Sequence, residues 1–98
     1  LSFELEIKES AKEDIIEAFL YYENIQTGLG KRLLDCLEKC LESLQNEPFI
    51  YQKKYTDFRQ VLVKPFPYHV IYEVENDIII VYKFVYGGRH SRKRYLKN

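Results

Sequence analysis

Phe3, Leu5 and Ile7 alternate with Glu4, Glu6 and Lys8, the period of two that marks a strand with one buried face. The period then changes. Ala11, Ile15, Ala18, Phe19 and Tyr22 recur at helical spacing, predicting a first helix over residues 10–23 that Asn24 and Gln26-Thr27-Gly28 terminate. At its start, Ser10-Ala11-Lys12-Glu13 has the form of a capping box, in which the Ser10 hydroxyl and Glu13 carboxylate would satisfy two backbone N–H groups. Asp14 adds charge where the helix dipole favours it. From Gly28, residues Leu29, Leu33, Cys36, Leu37, Cys40, Leu41 and Leu44 fall in one stripe at helical spacing, predicting a second helix over 28–46 that Asn46 and Pro48 stop. Two such helices bury their stripes as an antiparallel hairpin, and about two and a half heptads are too few for a sustained coiled coil.

After a polar and aromatic connection over 48–57, the period returns to two. Strands are predicted at 58–64, 68–74 and 77–85, divided by Pro65-Phe66-Pro67 and by Glu75-Asn76-Asp77. Ile78-Ile79-Ile80-Val81 is apolar on both faces, so the last strand should lie centrally, covered by the helices on one side. Gly87-Gly88 opens a basic tail over 87–98. The order β-α-α-β-β-β gives one α+β domain over 1–98, a helical hairpin on one face of a curved, mainly antiparallel sheet.

Composition supports that plan: of 98 residues, 46% are hydrophobic, and nine tyrosines and six phenylalanines can fill a core without staples. This excludes a disordered chain, a collagen-like repeat and a disulfide scaffold. No apolar run approaches the roughly 20 residues of a membrane span. The first residues lack the basic and apolar regions of a signal peptide, so the cytoplasm is the expected compartment.

Charge changes the picture more. Net charge is zero, but residues 1–50 carry five basic against eleven acidic side chains and residues 51–98 carry ten against four. The second half therefore either presents a basic surface to an acidic partner or phosphate backbone, or pairs with the first half.

Several side chains are candidates for chemistry. Cys36 and Cys40, one helical turn apart, read as small core residues, since no further ligands suggest a metal and no nearby histidine suggests a nucleophile. His69 reads as a hydrogen-bonded sheet residue, whereas His90, between Arg89 and Arg92, has the more polar setting. Lys53, Lys54, Arg59, Arg89, Arg92, Lys93 and Arg94 are interleaved with Tyr51, Tyr55, Tyr86 and Tyr95. Guanidinium forks match phosphate and tyrosine rings stack on unpaired bases, so this mixture suits a single-stranded nucleic acid, with a solvated basic tail as the plain alternative. No cofactor or metal motif competes with it.

The element order, with Ala11 to Asp14, Tyr21-Tyr22, Gly28-Leu29-Gly30, Asn46-Glu47-Pro48, Arg59, Phe66-Pro67-Tyr68, Ile71-Tyr72 and Arg89, resembles the RelE/ParE family of bacterial type II toxins over almost the whole chain. The long helical hairpin looks more like ParE. The resemblance implies a growth-arresting toxin neutralised by a cognate antitoxin with an acidic, partly disordered segment, in a toxin–antitoxin hetero-oligomer or as a homodimer. ParE-like members bind DNA gyrase; RelE-like members cut messenger RNA on the ribosome without a metal. A degenerate, non-toxic binding module is a third reading. RNA cleavage would need a base, an acid and charge stabilisers, for which the resemblance offers Arg59, Arg89, His90 and Tyr95. Family members commonly place a histidine shortly before the arginine that Arg89 matches, and Tyr86 stands there, unless His90 with Arg92 takes that register.

Overall fold

A computed structural model describes residues 2–87, apart from the Tyr55 side chain. The elements are β1 (Glu4–Ile7), α1 (Glu9–Ile25), α2 (Leu29–Asn46), β2 (Lys53–Tyr55), β3 (Phe58–Leu62), β4 (Tyr68–Glu75) and β5 (Ile78–Tyr86). They form two helices on a five-stranded sheet of order β1-β5-β4-β3-β2. Strands β2 to β5 make an antiparallel meander, and β1 joins β5 in parallel, from Glu4 opposite Ile78 to Ile7 opposite Val81.

Both helices and the three long strands stand where periodicity puts them, because each pattern reflects one face turned to a shared core. In α2, Leu33, Leu37, Leu41 and Leu44 are buried against Val61, Val70, Tyr72 and Val81 of the sheet. The opposite sheet face carries a smaller cluster of Ile71 and Val85 with Phe58. Strand β5 is interior, one place in from β1, while β4 holds the middle of the sheet.

Three local expectations are corrected. The 48–57 connection contains β2, whose three residues pair only at Lys53–Arg59 and Tyr55–Phe58 across a register shift, too short for a periodic signal. Helix α1 reaches Ile25, two residues beyond its expected end. It also has no capping box, since its N-cap is Lys8 without a side-chain cap. The Ser10 hydroxyl instead donates to the Tyr82 carbonyl at 2.7 Å.

That diversion belongs to a junction that substitutes for a strand. Beyond Ile7, β1 no longer covers the edge of β5, and an uncovered edge leaves backbone groups unsatisfied. Lys8 N–H donates to the Val81 carbonyl, Ser10 to that of Tyr82, and the Asp14 carboxylate accepts the Phe84 N–H at 2.9 Å. Asp14 also lies 3.5 Å from Lys83 Nζ. The helix is thereby fixed along the second half of β5.

The turn between the helices depends on two glycines. Gly28 adopts φ +93°, a left-handed conformation that side chains disfavour, and Glu23 accepts N–H bonds from Gly28 and Gly30 at 2.9 Å each. A Cβ at Gly30 would sit 2.7 Å from the Phe19 ring. The close approach of the helices therefore requires glycine there.

Candidate target-binding surface

Strand β3 and the β2–β3 turn position the candidates that precede the tail. Arg59 pairs with Tyr72 and so shares the helix-facing side of the sheet. Its Nη1 donates to the Tyr51 carbonyl at 2.7 Å, and its guanidinium carbon lies 5.2 Å from the Phe49 ring centroid. Tyr72, fully buried, donates from its hydroxyl to the Pro48 carbonyl at 2.7 Å. Arg59 and Tyr72 together clip the segment after α2 onto the sheet. Arg59 also lines a cleft of about 380 Å³ with Phe49, Lys53, Asp57, Glu73 and Glu75, a lining of mixed sign.

Lys53 pairs with Asp57 at 3.4 Å on the surface, and Lys54 is exposed on the same short strand. Arg89, His90, Arg92, Lys93, Arg94 and Tyr95 lie outside the described residues. Of the proposed set, the fold therefore brings together Lys53, Lys54 and Arg59 around the β2–β3 hairpin.

The remaining candidates behave as sheet and core residues. His69 Nδ1 is 3.0 Å from the Gly87 carbonyl, a bond that requires the proton on Nδ1. Cys36 and Cys40 are free thiols packed at the core margin, and burial pushes the Cys40 thiol up to about 11, away from the thiolate a nucleophile needs. Among the described residues no group of His, Cys, Asp and Glu is arranged to hold a metal ion.

Among the described residues, one ion pair links the acidic first half to the basic second half. Lys83–Asp14 joins them, but Lys8–Glu6, Lys31–Asp35 and Lys53–Asp57 are pairs between near neighbours. The sheet face away from the helices is acidic at one end, where Glu4, Ile78 and Glu75 stand in one cross-strand row and Glu6, Ile80 and Glu73 in the next. Tyr82 donates to Glu73 there, and its hydroxyl is raised first by burial, then by that hydrogen bond and the neighbouring carboxylates. A phosphate backbone laid over that end would meet like charge.

Sequence reasoning missed a cluster at the other end of the sheet. Tyr21 and Tyr22 of α1, Phe66 before β4, Tyr68 at its start, and Phe84 and Tyr86 of β5 form a continuous set of ring contacts, with centroids 4.7 to 6.1 Å apart. Its signal was only partly legible: Phe66-Pro67-Tyr68 and Tyr21-Tyr22 were visible as words, but their meeting depends on helix placement.

A model of the ParE toxin of the type II toxin–antitoxin system parDE matches residues 5–90. The chain belongs to the ParE toxin family. Solved structures share the fold of this ParE-family chain. A chain of the chromosomal ParDE TA system from P. aeruginosa superposes with a TM-score of 0.76 at 12% identity, covering 89% of this chain and 98% of that one. The intact E. coli RelBE toxin–antitoxin complex gives 0.69 at 17% identity, covering 90% and 100%. The E. coli DinJ-YafQ toxin–antitoxin complex gives 0.58 at 15% identity, covering 88% and 93%. No curated protein matches the sequence. The chain is therefore a type II toxin of the RelE/ParE group, and no described helix is long and apolar enough to cross a membrane.

Proposed function

We propose that this toxin arrests growth by binding DNA gyrase, as its ParE kinship suggests, and that a cognate antitoxin holds it inactive. The observation that carries the choice is the engagement of Arg59. A cation poised for a scissile phosphate needs its fork directed at substrate, and here one N–H is committed to the Tyr51 carbonyl while the plane covers Phe49. His69, the described histidine, is held by Gly87, and burial raises the Tyr68 and Tyr72 hydroxyls rather than lowering them. No general base for a 2′-hydroxyl is assembled among the described residues. These features support binding over cleavage.

The antitoxin reading is supported by the ParDE, RelBE and DinJ-YafQ structures, whose names are those of toxin–antitoxin systems and complexes. An acidic segment of that partner would cover cations of the second half, including Lys53, Lys54 and the tail arginines. Induction without antitoxin, read by gyrase supercoiling in vitro and by message cleavage on ribosomes, tests the proposal. Inhibited supercoiling with intact message is the expected result; codon-phased cuts with normal supercoiling would replace it by the ribonuclease using Arg59, Arg89, His90 and Tyr95. Unimpaired growth would favour a non-toxic binding module.

A further inference from the structure

We propose that Glu17, Tyr21, Tyr22, Tyr68 and Tyr86 form a notch that accepts an arginine side chain of a protein partner. The five residues come from three elements: α1, the first position of β4 and the last of β5. Sheet register sets Tyr68 directly opposite Tyr86, with ring centroids 5.5 Å apart at 77°. Tyr22 meets Tyr68 at 6.1 Å and 67°, and Tyr21 at 5.1 Å and 87°. Edge-to-face contacts of this kind turn neighbouring ring faces steeply against one another, so the cluster offers walls and not one flat stack.

Tyr21 is 58% exposed and Tyr86 62%. Glu17 precedes Tyr21 by one helical turn on the exposed side of α1, and no hydrogen bond or ion pair engages it among the described residues. The Tyr68 hydroxyl is pushed up to about 12 first by burial, then by Tyr22, Glu17, Tyr21 and Tyr86.

Charge selects the ligand. Bases could stack on these rings, but their phosphates would face Glu17 and its exposed neighbour Glu13. A guanidinium is attracted by ring faces and carboxylate together, its plane stacking on tyrosine while its N–H edge reaches Glu17. Ile16 and Leu20, both more than half exposed, continue the surface along α1 for the apolar residues flanking such an arginine. The inference is independent of whether gyrase or RNA is the target.

The test titrates the full chain with N-acetylarginine amide and, as a neutral isostere, N-acetylcitrulline amide, following tyrosine ring resonances by NMR. Arginine amide should shift Tyr21 and Tyr86 saturably, with affinity on the order of tens of millimolar, as a single exposed cation–π and ion-pair contact allows. Citrulline amide should not. Glu17→Gln should weaken binding by about two- to fivefold, the worth of one exposed ion pair. Tyr21→Leu should weaken it further while the melting temperature of either variant stays near wild type. Equal response to citrulline, an undiminished response in Glu17→Gln, or shifts confined to other tyrosines would overturn the proposal. A response that appears only after Arg89 and Arg92 are changed to Gln would assign the notch to the chain's own cations and would also overturn it.

Discussion

Replacing Tyr72 by Phe isolates one hydroxyl whose surroundings are fully specified. Tyr72 is 0% exposed and its O–H donates at 2.7 Å to the carbonyl of Pro48, itself buried. The ring packing survives the substitution, so no large cavity opens. What is lost is a buried hydrogen bond, and the Pro48 carbonyl is left desolvated without its donor, for a combined cost of about 2 kcal/mol. For a domain of this size that lowers the melting temperature by roughly 10 °C. Urea denaturation followed by circular dichroism at pH 7 reads the free energy directly, with an unchanged slope showing that the unfolded state is unaltered.

Alkaline pH supplies an independent check on the same group. Burial raises the Tyr72 hydroxyl strongly above its ordinary value near 10, outweighing the nearby Arg59 that lowers it. Above about pH 10 the unfolded chain loses this proton while the native protein keeps it, so native stability falls as pH rises, by up to a factor of ten in the unfolding equilibrium per pH unit. The Tyr72→Phe variant has no proton there to lose. Its deficit should therefore be largest near neutrality and shrink between about pH 10 and 11. A deficit below about 0.5 kcal/mol at pH 7, the size of an ordinary surface substitution, would refute the claim that this hydroxyl holds the Pro48 segment. So would a gap that stays constant through that alkaline range.

Gly30→Ala places a methyl 2.7 Å from the Phe19 ring and should destabilise by about 1–3 kcal/mol, as overpacking does, measured by thermal melting. Arg59→Ala removes the bond to Tyr51 and should cost about 1 kcal/mol in urea denaturation, whereas a purely target-facing arginine would leave stability unchanged. Exchanging Arg89, Arg92 and Arg94 together for Glu should slow association with the antitoxin at low ionic strength, the difference closing as salt rises; a wild-type rate in low salt would remove the tail from the docking surface.

Whatever local periodicity can carry was legible in the chain alone. Alternation at Phe3, Leu5 and Ile7, the leucine stripe of α2 and the apolar run at Ile78 to Val81 each reflect a face that must leave water, so both helices and four strands could be read directly. So could the role of His69, since a strand histidine beside apolar neighbours needs a hydrogen-bond partner. Everything else waited on folding, because it concerns partners distant in the chain. Ser10 had a local use as a cap, but the Tyr82 carbonyl on the edge of β5 claimed its proton. Lys53–Tyr55 became a strand because β3 lay beside it. Arg59 reads in sequence as a cation available to phosphate, and folding turns it onto Tyr51 and Phe49. Tyr21, Tyr68 and Tyr86 are scattered along the chain, and the register of β4 with β5, together with the hold of Asp14 on Phe84, brings them through Tyr22 into one cluster of rings. A residue's type states which bonds it can make; the backbone groups and charges that folding sets beside it decide which of them it does make.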